Sequence, residues 1–176
     1  MGMTMNLSDA LPSDLPALHA LIESAFRGDS ARVGWSHEAD LLDGQRTDLA
    51  ELEAILVDPA QALLVLRDDG GLGGCVSLTD KNGGLAYLGM LTVDPQRQAL
   101  GLGRQILAAA ERAATERFAA TRIELTIIPH RIELTAWYER RGYVLTGELR
   151  PFPADDPRFG LPTRDDLIFA VMAKSL

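Results

Sequence analysis

The chain has 176 residues, 47% of them apolar and 24% charged, and its 17 Lys and Arg stand against 25 Asp and Glu for a net charge of −8. That apolar content can offset the entropy of ordering the chain, which excludes global disorder and leads to one domain spanning 1–176, while the acidic balance makes nucleic acid and anionic membrane poor partners because both are held by basic patches. A lone Cys75 cannot pair within the chain, the N-terminus has no basic and apolar leader pattern, and the longest apolar run, Leu167 to Ala173, falls far short of the about 20 residues a spanning helix needs, so a soluble cytoplasmic protein is expected.

Taken in chain order, Ser13 and Asp14 cap a helical period of Leu15, Leu18, Leu21, Ile22, Ala25 and Phe26 that closes near Gly28. The stretch from Arg27 to Arg46 carries little period but holds Trp35, His37, Glu38 and Asp40, and a second helix is predicted from about Asp48 to Val57, stopped by Asp58-Pro59. Ala62 to Leu66, Gly74 to Thr79 and Ala86 to Val93 read as strands joined by the turn sequences Asp68-Asp69-Gly70-Gly71 and Lys81-Asn82-Gly83-Gly84, which predicts a three-stranded antiparallel meander. After Pro95 the pattern changes. Leu102, Ile106, Leu107, Ala110, Ala113, Ala114 and Phe118 recur at helical spacing, Ile123 to Ile128 reads as a strand, and Leu134, Trp137 and Tyr138 mark a helix ending at Gly142. Tyr143 to Leu149 and Leu167 to Lys174 supply two last strands around a segment with Pro151, Pro153, Pro157 and Pro162.

The segment Val93-Asp94-Pro95-Gln96-Arg97-Gln98-Ala99-Leu100-Gly101-Leu102-Gly103-Arg104 joins a strand end, a turn, two glycines and a helix start. The first turn of a helix leaves N–H groups without intrahelical acceptors and carries the positive end of the macrodipole, so a phosphate can collect several donors there. Glycines let the ligand approach the main chain, and Arg97 and Arg104 against Asp94 make the stretch net positive. Ile106 stands where a dinucleotide fingerprint wants its third glycine, and Arg104-Gln105 follows Gly103 where a P-loop wants Lys-Ser/Thr, so both nucleotide motifs fail. On the residues alone, glycines that only turn the chain into a helix are the more ordinary explanation of the segment.

Gln98-x-x-Gly101-x-Gly103 after Val93-Asp94-Pro95 resembles the acetyl-CoA motif of the GNAT superfamily of N-acetyltransferases, and Tyr138-Glu139-Arg140-Arg141-Gly142-Tyr143 is similar to a second segment of that family. The order of elements from about residue 5 to 174 also resembles it. The resemblance implies an α+β fold, a mostly antiparallel twisted mixed sheet with flanking helices and one splayed parallel pair, Ala86 to Val93 beside Ile123 to Ile128. It further implies acetyl-CoA as cosubstrate and an amine acceptor. Main-chain groups of Leu91 and Val93 would bind the pantetheine arm, and those of Gln98, Ala99, Gly101, Leu102, Gly103 and Arg104 the pyrophosphate. Arg131 would take over from an Asn that many relatives carry. A homodimer through a terminal strand is the assembly such sheets allow.

Within that resemblance Tyr138 would protonate the departing thiolate, a phenol of ordinary pKa about 10 facing a thiol near 8.5, whereas on composition alone Tyr138 next to Trp137 is core packing. The meander strand that supplies a Glu base in many relatives has no carboxylate here, which leaves Glu38, Asp40, Glu148, His37 or water as bases. Cys75 has no adjacent base and reads as a small buried hydrophobe, so direct transfer in a ternary complex is expected rather than an acyl-enzyme. Three scattered histidines, His19 among them, have no ligand spacing, and no metal is expected. The remaining readings are a CoA-binding interaction module without turnover, and an acyltransferase using another donor or a hydroxyl. Gly103→Glu is expected to abolish cofactor binding while sparing the fold.

Overall fold

The computed structural model describes residues 7–26, 42–43, 47–97, 101–151, 161–162 and 168–176. After the short strand β1 (Leu7–Asp9), a 3-10 turn at Pro12–Asp14 leads into α1 (Leu15–Phe26). Asp14 was expected to help cap that helix; instead its carboxylate caps the turn, accepting the Leu11 N–H at 2.8 Å, and takes both terminal nitrogens of Arg67 at 2.8 and 2.7 Å. Helix α2 (Leu49–Val57) begins at Asp48, whose side chain accepts the Glu51 N–H, and ends at Asp58, which turns extended ahead of Pro59.

The meander forms as predicted from β3 (Gln61–Asp68), β4 (Gly71–Asp80) and β5 (Leu85–Val93), all antiparallel. Then follow α3 (Leu102–Phe118), β6 (Arg122–Ile127), α4 (Ile132–Glu139), β7 (Val144–Pro151) and β9 (Ile168–Ser175). The seven-stranded order is β1-β3-β4-β5-β6-β9-β7, in which β5 and β6 alone run parallel. Two strands without a sequence signal, β2 (Leu42–Asp43) and β8 (Leu161–Pro162), pair as a separate ribbon.

Each face of the sheet has its own core. Helix α3 lays Leu102, Ile106, Leu107, Ala110 and Ala114 on Leu64, Leu66, Val76, Leu78, Ala86, Leu88, Ile123 and Leu125, while α1 and α2 cover the opposite face through Leu18, Ile22, Leu52, Leu63, Val65 and Cys75. Strand alternation would put Met90 on the same side as Ala86 and Leu88. It lies on the other, because β5 bulges: Ser77 pairs with Gly89 but Cys75 with Thr92, and Met90 takes φ +50°. The extra residue flips the alternation, so Leu91 and Val93 pack on the α3 side. Cys75 is fully buried, as a small hydrophobe in an apolar strand should be.

The parallel pair separates after three residues. Leu85, Ala86 and Tyr87 pair with Arg122, Ile123 and Glu124, yet β5 runs on to Val93 and β6 to Ile127. On its other edge β6 pairs with β9 along its whole length, from Arg122 opposite Ser175 to Ile127 opposite Ala170, so past Glu124 only that edge stays paired among the described residues. A wedge thus opens in the middle of the sheet beside the bulge.

Candidate active site

Two glycines at the start of α3 have different physical reasons. Gly101 is the N-cap residue in the left-handed region, φ 78° and ψ 10°, and among the described residues a Cβ built on it would meet nothing within 4 Å. As a glycine it brings no side chain of its own to cap the first turn. At Gly103, by contrast, a Cβ would stand 3.4 Å from the Trp137 ring and 3.6 Å from Val93. A Cβ there stands at ordinary van der Waals distance, so position 103 has room for the first carbon of a side chain, and a longer one starts out beside Trp137. Gln98 and Ala99, the other expected cofactor residues of this loop, lie outside the described residues, as do His37, Glu38 and Asp40.

The local charge is not distributed as expected. Arg97 donates to Asp68 at 2.8 Å and to the Gly70 carbonyl at 3.0 Å, with Asp94 at 3.7 Å, so it straps the β3–β4 turn to the loop and its charge is neutralised in place. Hydrogen bonding from Arg97 in turn holds the Asp68 carboxyl below its usual range. Positive charge comes from Arg104 together with Arg140 and Arg141 at the end of α4. Burial depresses the Arg141 guanidinium, and the nearby charges of Arg140 and Arg104 depress it further. Arg141 lies over the Trp137 ring at 3.9 Å and donates Nη1–H to the Trp137 carbonyl at 2.8 Å, and its buried Nε has no acceptor among the described residues. Trp137 therefore spaces Arg141 against the glycine turn. Arg140 and Arg141 were part of the quoted family segment, but no spacing rule in the sequence tells which face of α4 they take.

Tyr138 packs edge-on between Trp137 and Tyr143, with ring centroids 5.0 and 5.6 Å away, and is only 6% exposed. Its hydroxyl has no hydrogen-bond partner among the described residues. Burial raises its pKa above that of a free phenol, Arg131 at the start of α4 pulls it back, and Tyr87 pushes it up again. The near balance with a thiol expected from free-phenol values is thereby lost: Tyr138 stays protonated across the neutral range, a buried phenol with a hydrogen bond to give. Tyr143 below it is bound to Glu111 at 3.4 Å, and Glu111 holds Lys174 at 2.8 Å, so that pair belongs to the support of the wall.

Across the sheet from α3 lies a polar group with no clear sequence signal. Ile123, Leu125 and Ile127 of β6 face the α3 core, which turns Glu124 and Thr126 to the other side. The Tyr87 hydroxyl meets Thr126 Oγ1 at 2.7 Å, and Arg150 of β7 donates to Glu124 at 3.1 Å and pairs with Glu148 at 2.7 Å. An alternating Arg-x-Glu-x-Thr reads as an ordinary solvated strand face, which is why Glu124 and Tyr87 escape sequence reasoning.

The profile of the acetyltransferase (GNAT) family matches residues 17–143, well over half of the chain. The chain belongs to the GNAT acetyltransferase family. No curated protein matches its sequence significantly. Among solved structures, it is similar to the ribosomal-protein-alanine N-acetyltransferase from Brucella melitensis, with 22% identity and a TM-score of 0.71 over 97% of this chain and 99% of that one. It also resembles the spermidine N-acetyltransferase from Vibrio cholerae in complex with CoA and spermine, at 18% identity, TM-score 0.70 and 97% and 95% coverage. A third neighbour is yncA from Salmonella typhimurium with its cofactor acetyl-CoA, at 20% identity, TM-score 0.69 and 99% and 95% coverage. These likenesses give this GNAT chain the family's fold, seen among the described residues as a seven-stranded mixed sheet with one parallel pair and four helices.

Proposed function

We propose that this GNAT chain is an acetyl-CoA-dependent N-acetyltransferase working by direct attack of an amine in a ternary complex. The observation that carries the reading is the first turn of α3, opened by a left-handed Gly101 with no capping side chain of its own and set beside the wedge between β5 and β6. Main-chain donors of Gly101, Leu102, Gly103 and Arg104 would receive the pyrophosphate, the side chains of Arg104, Arg140 and Arg141 would supply counter-charge, and Gln98 and Ala99 would extend the cradle. Leu91 and Val93, turned to the α3 side by the bulge, would present main-chain groups to the pantetheine arm, which leads the thioester into the wedge. Arg131, close enough to bias the Tyr138 phenol, would steady the same arm. There Tyr138 would donate to sulfur as the carbon–sulfur bond breaks, and a main-chain N–H at the bulge would meet the carbonyl oxygen as it gains charge.

The donor is supported by the neighbour bound to acetyl-CoA, and the amine by the neighbour bound to CoA and spermine. No helix of the described residues is long and apolar enough to cross a membrane, in keeping with a dissolved acceptor. Titration calorimetry with acetyl-CoA, followed by thiol release over a panel of small amines and basic peptides, tests the reading. Binding with amine-dependent release is expected. Binding with release at background for every amine would turn the assignment to a CoA-responsive interaction module.

A further inference from the structure

We propose that Glu124 is the carboxylate that receives the acceptor amine and takes its proton, an assignment that rests on the transferase reading above. The position is defined by the sheet. Glu124 is the last residue of β6 to pair with β5, its partner being Tyr87, so it sits where the wedge begins and on the face away from α3. A donor seated on the α3 side reaches the wedge from one face, and Glu124 meets whatever enters from the other.

Its environment is unusual for a strand carboxylate. Glu124 is only 7% exposed, yet Oε1 alone is bonded, to Arg150 at 3.1 Å, and Oε2 accepts no hydrogen bond from the described residues. Oε2 is therefore the part of this nearly buried side chain that opens to the cleft, where a carboxylate oxygen without a protein donor can accept one from a ligand. Arg150 also holds Glu148 at 2.7 Å, so two carboxylates share one guanidinium and one positive charge completes the set. An ammonium supplies both the donor and the charge.

Tyr87 links this carboxylate to the proton donor. Its hydroxyl is fixed by Thr126 at 2.7 Å, its ring lies along the strand with Cε1 3.4 Å from where a Cβ of Gly89 would stand, and its phenol is near enough to bias Tyr138. Proton acceptor and proton donor therefore flank the wedge from its two faces with Tyr87 between them. The absence of a carboxylate on β5 is met by one on the strand opposite.

The step balances. An ammonium loses two protons on becoming a secondary amide. One ends on Glu124; the other ends on sulfur, delivered by Tyr138, which is reprotonated from the attacking nitrogen through solvent. The nitrogen–carbon bond forms as the carbon–sulfur bond breaks, and the charge of the ammonium is cancelled by that of the carboxylate.

The test is Glu124→Gln in the full chain, with Glu124→Asp beside it. Because Arg150 keeps Glu148, the amide leaves no guanidinium without an anion, and an unchanged melting temperature and acetyl-CoA Kd are expected. With the best amine of the panel, kcat/KM should fall at least about 100-fold in Glu124→Gln and recover in part in Glu124→Asp. In Glu124→Gln, kcat/KM should also keep climbing with pH as free amine accumulates, where the wild type levels off. The other ionisable groups on this face, Tyr87, Arg122, Arg150 and Glu148, are present in both proteins, so the altered limb belongs to Glu124. Wild-type turnover with Glu124→Gln within threefold and the same pH profile overturns this assignment alone. Acetyl-CoA binding without wild-type turnover overturns the transferase reading, and this one with it.

Discussion

Replacing Arg104 by Glu separates cofactor binding from folding because the two should move in opposite directions. Arg104 is the third residue of α3, exposed, in a first turn whose N-cap is a glycine. A carboxylate within the first helical turn is stabilising by about 0.3–1 kcal/mol, and removing Arg104 also relieves a positive charge that depresses Arg141. The fold should therefore hold or gain. For the diphosphate, reversing one charge against about two negative charges at about 6 Å and an effective dielectric of about 60 amounts to about 4 kcal/mol unscreened, and screening at physiological salt halves it. About 2 kcal/mol corresponds to about a 30-fold rise in the Kd of CoA. Calorimetric titration at 0.15 M and 0.5 M salt, with a thermal melt of each protein, reads both effects, and the penalty should shrink at the higher salt. A variant that melts at or above the wild-type temperature and binds CoA within twofold of it would refute the placement of the diphosphate at this turn.

Tyr138→Phe should lower kcat by about 100-fold or more with little change in melting temperature or CoA Kd, since the hydroxyl has no partner among the described residues to lose; unchanged kcat would remove Tyr138 from the chemistry. Gly103→Glu should abolish CoA binding by placing a side chain and a negative charge at the diphosphate, while the melting temperature stays near wild type because an added Cβ meets Trp137 and Val93 only at ordinary contact distance; unchanged CoA affinity would contradict the placement of the site. Asp14→Asn tests the tie between the first turn and β3. Hydrogen bonding from Arg67 holds the Asp14 carboxyl below its ordinary value, so its contribution is present above the ordinary carboxylate range and fades as pH falls through the lowered folded value. The variant should unfold about 1–3 kcal/mol more easily than wild type at pH 7, with the two curves converging under strong acid. Parallel curves at all pH values would show that the charge is irrelevant.

Much of this protein was legible in one dimension, and the reason is locality. Helix periods, the turn sequences of the meander and the glycines after Asp94-Pro95 act over a few residues, so α1, α2, α3 and β3 to β5 could be placed before any contact was known. The ribbon of β2 and β8 could not: two residues from each distant segment carry no period, and only their meeting makes them strands.

At the site the division runs along the same line. The glycine turn and the Tyr138 segment carry local patterns. What Arg97 does was decided by Asp68, twenty-nine residues earlier in the chain, and the cations that replace it come from α4. The bulge at Met90, which reassigns Leu91 and Val93 to the α3 side, follows from how β5 pairs with β4 rather than from its composition. The chain order alone determined the helices, the meander and the glycine-opened helix start that follows it. Three-dimensional pairing decided where the sheet parts, which charges are already matched and which carboxylate oxygen is left idle, because those are properties of neighbours brought together from far along the chain.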